Sequence, residues 1–136
     1  MTHDQSLNER KILVVNDSPQ TTAELAYIFA HSGAAVTEAH SGKDAMQYIA
    51  WGGYDLIVVN LPGPEAEELR VLRFIQQSRP ELLPRTAVLA DDALDARTHT
   101  RLQACYSECY FMRSEPANLV ECALRALAFR DQRYAA

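Results

Sequence analysis

Polar or charged side chains follow apolar runs at four places in this 136-residue chain. Asn16 and Asp17 follow Lys11-Ile12-Leu13-Val14-Val15, and Asn60 ends the apolar run of Tyr54-Asp55-Leu56-Ile57-Val58-Val59-Asn60-Leu61-Pro62-Gly63-Pro64. Ala90 and Asp91 close the run from Thr86, and Arg113 follows Tyr110-Phe111-Met112. Carboxylate oxygens suit hard cations, and a guanidinium suits phosphate-like anions. The residue delivered by the strongest run is nevertheless an amide. Asn60 has no fully anionic oxygen and its nitrogen lone pair is delocalised, so it offers hydrogen bonds and no nucleophile.

These residues meet only if the runs lie side by side. Lys11–Val15 is a continuous β-branched run, the pattern of a strand buried on both faces. Pro19 then falls where a helix tolerates proline, after Asp17-Ser18 as candidate caps, and Leu25, Ile28 and Phe29 recur at helical spacing until Gly33. The cycle repeats with a strand at 35–39, a Ser41-Gly42 turn, and a helix from about Lys43 with Ala45, Met46 and Ile49 inward, stopped by Gly52-Gly53. A third strand covers Leu56–Val59, and a helix over Glu65–Ser78 carries Leu69, Leu72 and Ile75 on one face. After Pro80 and Pro84 come a strand at Thr86–Ala90, a weakly patterned helix at Ala93–Ala104, a short strand at Tyr110–Met112 and a last helix at Pro116–Phe129.

Five such units predict an α/β domain with a doubly wound, parallel five-stranded sheet between two helical layers, a three-layer α/β/α arrangement. Residues 11–129 form the domain, with 1–10 a flexible N-terminal tail and 130–136 a C-terminal tail. In such sheets chemistry lies at the carboxyl ends of the strands, where Asn16, Asp17, Asn60, Ala90, Asp91 and Arg113 all fall.

Bulk properties narrow the function classes. Hydrophobic residues make up 48% and charged residues 23%, and no apolar run reaches the roughly 18 residues of a membrane span. The start, MTHDQSLNER, lacks the basic end and apolar middle of a secretion signal, which predicts a cytoplasmic protein. A net charge of -5 with scattered basic residues argues against nucleic acid as a partner. The three cysteines, Cys105, Cys109 and Cys122, read as reduced thiols packed as small hydrophobes; the four histidines supply no further metal ligand at recognisable spacing.

The motifs KILVVNDSP, Ser41-Gly42 before the second helix, YDLIVVNLPGP, and the Tyr110 strand before the last helix together resemble the receiver domain of two-component response regulators. That is the flavodoxin-like (βα)5 module which accepts a phosphoryl group from a histidine kinase on an aspartate. The resemblance spans nearly all of Lys11–Phe129. It implies two acidic residues where this chain has Asn16 and Asp17, and the phosphoacceptor aspartate where it has Asn60. The strand-four hydroxyl residue maps to Ala90, or with a one-residue shift to Asp91, and the strand-five lysine, usually followed by proline, maps to Arg113-Ser114. Only Asp17 and the Pro62 carbonyl survive from the implied magnesium set, and Tyr110 matches the switch aromatic.

The departures have physical consequences. An in-line phosphoryl transfer needs an anionic acceptor oxygen and a cation on the equatorial oxygens. Asn60 cannot form the acyl phosphate, and Asp17, with Asp91 or Asp92 nearby, leaves a weak residual magnesium site at most and no other cofactor. Replacing carboxylates by amides also removes like-charge repulsion. Ala90 has no hydroxyl, Arg113 is a planar fork instead of a point charge, and without proline after Arg113 the peptide bond there is expected to be trans. Singly, Asn60 reads as a strand-end turn residue, Arg113 as a surface residue and Asp17 as a helix cap. Together they predict a pseudo-receiver, not an enzyme, working in phosphorelay signal transduction through protein–protein contact.

The expected partners are a histidine kinase or an output protein, with a homodimer through the face of the fourth helix, fifth strand and fifth helix, or a contact through the first helix, as possible geometries. With small Ala90 beneath it, Tyr110 is expected to sit inward. The Glu65-Glu67-Glu68 group reads as a solvated first helical turn, and Arg125, Arg130 and Arg133 as a solvated face. Two alternatives stay open. One is a phosphorylatable receiver using Asp17, Asp91 or Asp92. The other is a flavin or nucleotide binder on the same architecture, which NDSPQTT serves poorly because Pro19 removes an amide donor and no G-x-G occurs.

Overall fold

The β-branched runs are strands in the computed structural model, which describes residues 6–62, 66–91, 94–106, 110–112 and 119–135. Strand β1 (Lys11–Val15) is followed by α1 (Pro19–His31), β2 (Ala35–Ala39), α2 (Gly42–Trp51), β3 (Leu56–Leu61) and α3 (Glu68–Ser78). A 3-10 helix (Pro80–Arg85) leads into β4 (Thr86–Ala90), then α4 (Ala96–Cys105), β5 (Tyr110–Met112) and α5 (Leu119–Ala135). All pairings are parallel and the strand order is β2-β1-β3-β4-β5. The order reverses between β1 and β3, and that is where a crevice opens beyond the strand ends in such sheets.

Alternate residues of each strand feed opposite faces of the sheet, as the two-residue period requires. Ile12, Val14, Leu56, Val58, Ala87 and Leu89 join Leu25 and Phe29 of α1 and Ala123, Ala126 and Leu127 of α5 in one buried cluster. Leu13, Val15, Ile57, Val59, Leu61 and Val88 join Ala45 and Ile49 of α2 and Val71, Leu72 and Ile75 of α3 in the other. Helix α1 starts where its sequence directs: the Ser18 side chain accepts from the Thr21 N–H and Pro19 occupies the first turn. Helix α2 is capped by Ser41 and released at Gly52, whose φ of 75° suits a residue without Cβ.

Several boundaries differ from expectation. Strand β3 continues beyond Val59 through Asn60 to Leu61, because Asn60 and Leu61 pair in register with Leu89 and Ala90. Helix α3 begins at Glu68 instead of Glu65, and α4 at Ala96 instead of Ala93 because the Asp95 side chain caps it, accepting from the Thr98 N–H. Helix α5 runs on to Ala135, so residues 130–135 are helical and not a tail. The stretch just before β1 is anchored too. Leu7 is fully buried in the α1/α5 cluster and its N–H donates to the Ser32 carbonyl at 2.9 Å. Among the described residues no helix is long and apolar enough to cross a membrane.

Candidate functional site

Because β1 and β3 pair as Val15↔Val59, the next residue of each strand, Asn16 and Asn60, arrives at the same sheet edge. Both are buried, each about 2% exposed. Both the nitrogen and the oxygen of the Asn16 side chain are engaged. Its Nδ2 donates to the Asn60 backbone carbonyl at 3.0 Å and to Glu68 Oε2 at 3.3 Å. Its Oδ1 accepts from the Ser18 N–H at 3.0 Å, shaping the turn that leads into α1. An aspartate could make only the last of these, because a carboxylate has no N–H to give.

Glu68 is the residue that sequence reasoning missed. The group Glu65-Glu67-Glu68 reads as a solvated first turn, but Glu68 is only 2% exposed. It opens α3 on the same face as Leu72 and Ile75, four and seven residues on, and this spacing was the available signal. Burial pushes its carboxyl up to about 7, with the charges of Asp17 and then Glu67 adding to the rise while its own backbone N–H opposes it. Glu67 is exposed and turns the other way, its Oε1 accepting from the Gly42 N–H at 2.9 Å. A Cβ at Gly42 would sit 2.8 Å from that oxygen, so glycine there permits the approach of α3's entry to α2. Glu65 lies outside the described residues.

The remaining expected site residues divide cleanly. Asp17 is exposed beside Asn16 and Pro62 is exposed just past β3, whereas Ala90 is fully buried as the last residue of β4, in register with Leu61 and Met112. Asp91 follows at the same edge, half-buried, its N–H donating to the Leu61 carbonyl at 3.1 Å. Arg113, Ser114, Asp92 and Cys109 lie outside the described residues. Cys105 is exposed and Cys122 buried, both as free thiols. Among the described residues no group of three His, Cys, Asp or Glu side chains is placed to hold a metal ion.

Tyr110 is half-buried on β5, packed against the cluster under α2 and α3, and burial raises its hydroxyl above the usual range. Its hydroxyl hydrogen-bonds His99 Nδ1 on α4, and the two rings stand edge to face with centroids 5.9 Å apart. This pair ties α4 to β5. Nothing in the sequence singled out His99 as the partner, since eleven residues separate the two and no periodic element spans them.

Chemically, the strand-end pocket is a clasp. One amide joins the turn after β1, the end of β3 and the start of α3, and it feeds a proton donor to a carboxylate that burial drives toward its neutral form.

Comparison with known proteins agrees with this architecture. No family model matches the chain. Two curated relatives, the transcriptional regulatory protein DltR of two Streptococcus agalactiae strains, are each 29% identical over 68 residues, covering 50% of this chain and 30% of the relative. The matched stretch therefore spans under a third of those proteins. Among solved structures, the signal receiver domain of a histidine kinase from Syntrophus aciditrophicus is similar at TM-score 0.70 and 22% identity, covering 88% of this chain and 90% of that one. A CheY-like receiver domain protein from Methanospirillum hungatei gives 0.72 at 16% identity, with 91% and 98% covered. The response regulator TrrA of Thermotoga maritima gives 0.64 at 19%, with 87% and 98% covered. The parallel five-stranded sheet, its strand order and these likenesses together establish that this chain carries the flavodoxin-like fold of response-regulator receiver domains.

Proposed function

We propose that the chain is an atypical receiver of two-component signalling that is not phosphorylated at the usual place and acts by protein–protein contact. The observation that carries this reading is the Asn16 clasp. Where the fold's chemistry calls for clustered carboxylates, Asn16 donates to the Asn60 carbonyl and to Glu68, and Asn60 itself is an amide. Magnesium prefers one or two carboxylates with water and phosphate oxygens. Here the Glu68 carboxylate is occupied by Asn16 and held toward its neutral form, which leaves exposed Asp17 as a poor match for that ion.

The regulatory surface in this reading is the face of α4, β5 and α5. The His99–Tyr110 bond holds the switch aromatic in one place, and Arg125 of α5 lies 5.8 Å from the Phe111 ring of β5. A histidine kinase or an output protein is the class of partner this fold serves, and a homodimer through the same face is the alternative geometry. The test is intact mass after incubation with acetyl phosphate and magnesium. No adduct is expected; a phosphoryl adduct mapped to Asp17, Asp91 or Asp92 would replace this reading with a working phosphorelay.

A further inference from the structure

Strand β2 forms one edge of the sheet and pairs only with β1. In that parallel ladder Ala35, Thr37 and Ala39 turn their main-chain groups toward β1: the Ala35 N–H donates to the Arg10 carbonyl at 2.8 Å, and the Ala39 carbonyl accepts from the Asn16 N–H at 3.1 Å. Val36 and Glu38, which alternate with them, therefore direct their main-chain N–H and C=O groups away from the sheet. Neither main chain has a hydrogen-bond partner among the described residues.

An open edge of this kind is ordinarily blunted by proline, lysine, a bulge or a covering element. Ala-Val-Thr-Glu-Ala has no proline and no lysine, and its register with β1 runs unbroken from Ala35 to Ala39. Ala35 is exposed and Val36, Thr37 and Glu38 are half-buried, whereas β3 and β4 inside the sheet are buried throughout, so α1 and α2 leave the edge open. The one charge on the strand is drawn aside: the Glu38 carboxylate meets His40 Nε2 at 3.2 Å and Thr22 of α1. The opposite edge, β5, is only three residues long.

The edge is complementary to itself. Two β2 strands laid antiparallel about a two-fold axis at Thr37 set Val36 opposite Glu38 of the second copy and Glu38 opposite its Val36, and in both pairs every outward N–H meets an outward C=O. Thr37 then faces Thr37 in the closer, non-hydrogen-bonded type of pair, and Ala35 faces Ala39, small enough to let the strands approach. Neighbouring registers are worse. An axis at Glu38 sets two carboxylates face to face, and one at Val36 sets Glu38 against Ala34, whose N–H is already given to the Phe29 carbonyl. We infer that the chain associates with a second copy of itself through β2, edge to edge and antiparallel with Thr37 on the axis, joining two five-stranded sheets into one. This surface is distinct from the face of α4, β5 and α5 and uses no side chain of the Asn16–Asn60–Glu68 clasp, so the inference stands whether or not the chain accepts phosphate. So short an edge makes a weak dimer, with Kd on the order of 100 μM.

Sedimentation and amide hydrogen exchange of the full chain, each from about 10 μM to about 1 mM, test it. Mass should rise from monomer toward dimer, and the Val36 and Glu38 amides should gain protection with concentration, while the Thr37 amide, bonded to β1, is protected throughout. Glu38→Pro removes an outward donor and no bond to β1, so it should leave a folded monomer. A second pair of variants keeps the test sharp if that one fails to fold. Under mild oxidation Thr37→Cys should cross-link to its copy well above the background set by the parent's own thiols, and Ala35→Cys should not, because the axis sets Ala35 against Ala39. A chain that stays monomeric, concentration-dependent protection confined to α4, β5 and α5, a dimer that survives in folded Glu38→Pro, or equal cross-linking of the two cysteine variants would each overturn the inference.

Discussion

The Asn16 side-chain amide donates to the Glu68 carboxylate across 3.3 Å, joining positions 52 residues apart in the chain. The same nitrogen reaches the Asn60 carbonyl at 3.0 Å. Three segments thus depend on one residue type, and four predictions follow from them and their surroundings.

Asn16→Asp removes both donated bonds and sets a third carboxylate beside Glu68 and Asp17. Leaving a buried acceptor unpaired and adding like charge should cost on the order of 2–4 kcal/mol at pH 8. Denaturant unfolding measures this, and the loss should shrink toward pH 5, where the added carboxyl and Glu68 share protons.

Glu68 makes stability depend on pH. Its carboxyl is raised from the ordinary 4.5 to about 7 in the folded chain, so the folded state binds the extra proton between those values. Stability should therefore fall as pH rises through that window, by up to about 3 kcal/mol, and stay level above it. Glu38, lowered chiefly by its hydrogen bond with His40, acts with the opposite sign below the window. Glu68→Gln keeps an oxygen for Asn16 and should flatten the slope, melting higher than the parent at pH 8 and alike at pH 5.

Asn60→Asp on its own should not restore phosphate acceptance. The Asn16 clasp and the neutralised Glu68 would remain, and the new buried carboxyl would lower stability by about 1–3 kcal/mol. Intact mass after acetyl phosphate checks the first half and a melting curve the second. The triple variant Asn16→Asp, Asn60→Asp, Ala90→Thr is the one in which an adduct is expected.

His99→Ala frees the Tyr110 hydroxyl and should cost about 1 kcal/mol. The more telling readout is local: amide exchange in β5 and the first turns of α4 should accelerate while β1 and β3 stay protected, because the bond ties α4 to β5 and nothing in the central strands. Tyr110→Phe should give the same pattern.

Much of the architecture was legible in the residues because its causes are local. Runs such as Lys11–Val15 and Tyr110–Met112, the Ser18 and Ser41 caps, and the glycine that releases α2 act within a few neighbours, and the strands and helices they predict are present. Where a local rule met a tertiary one, the tertiary one prevailed. Strand pairing carried β3 past Val59, and core contact anchored Leu7.

The site divides along the same line. Residue types at strand ends, Asn16, Asp17, Asn60 and Ala90, follow from the chain alone, since a parallel sheet must bring them to one edge. That Glu68 turns inward, that Asn16 reaches two partners, and that His99 meets Tyr110 depended on which helix lies over which strand. Long-range packing determines burial, and burial determines whether a carboxylate is a solvated charge or a proton-holding acid.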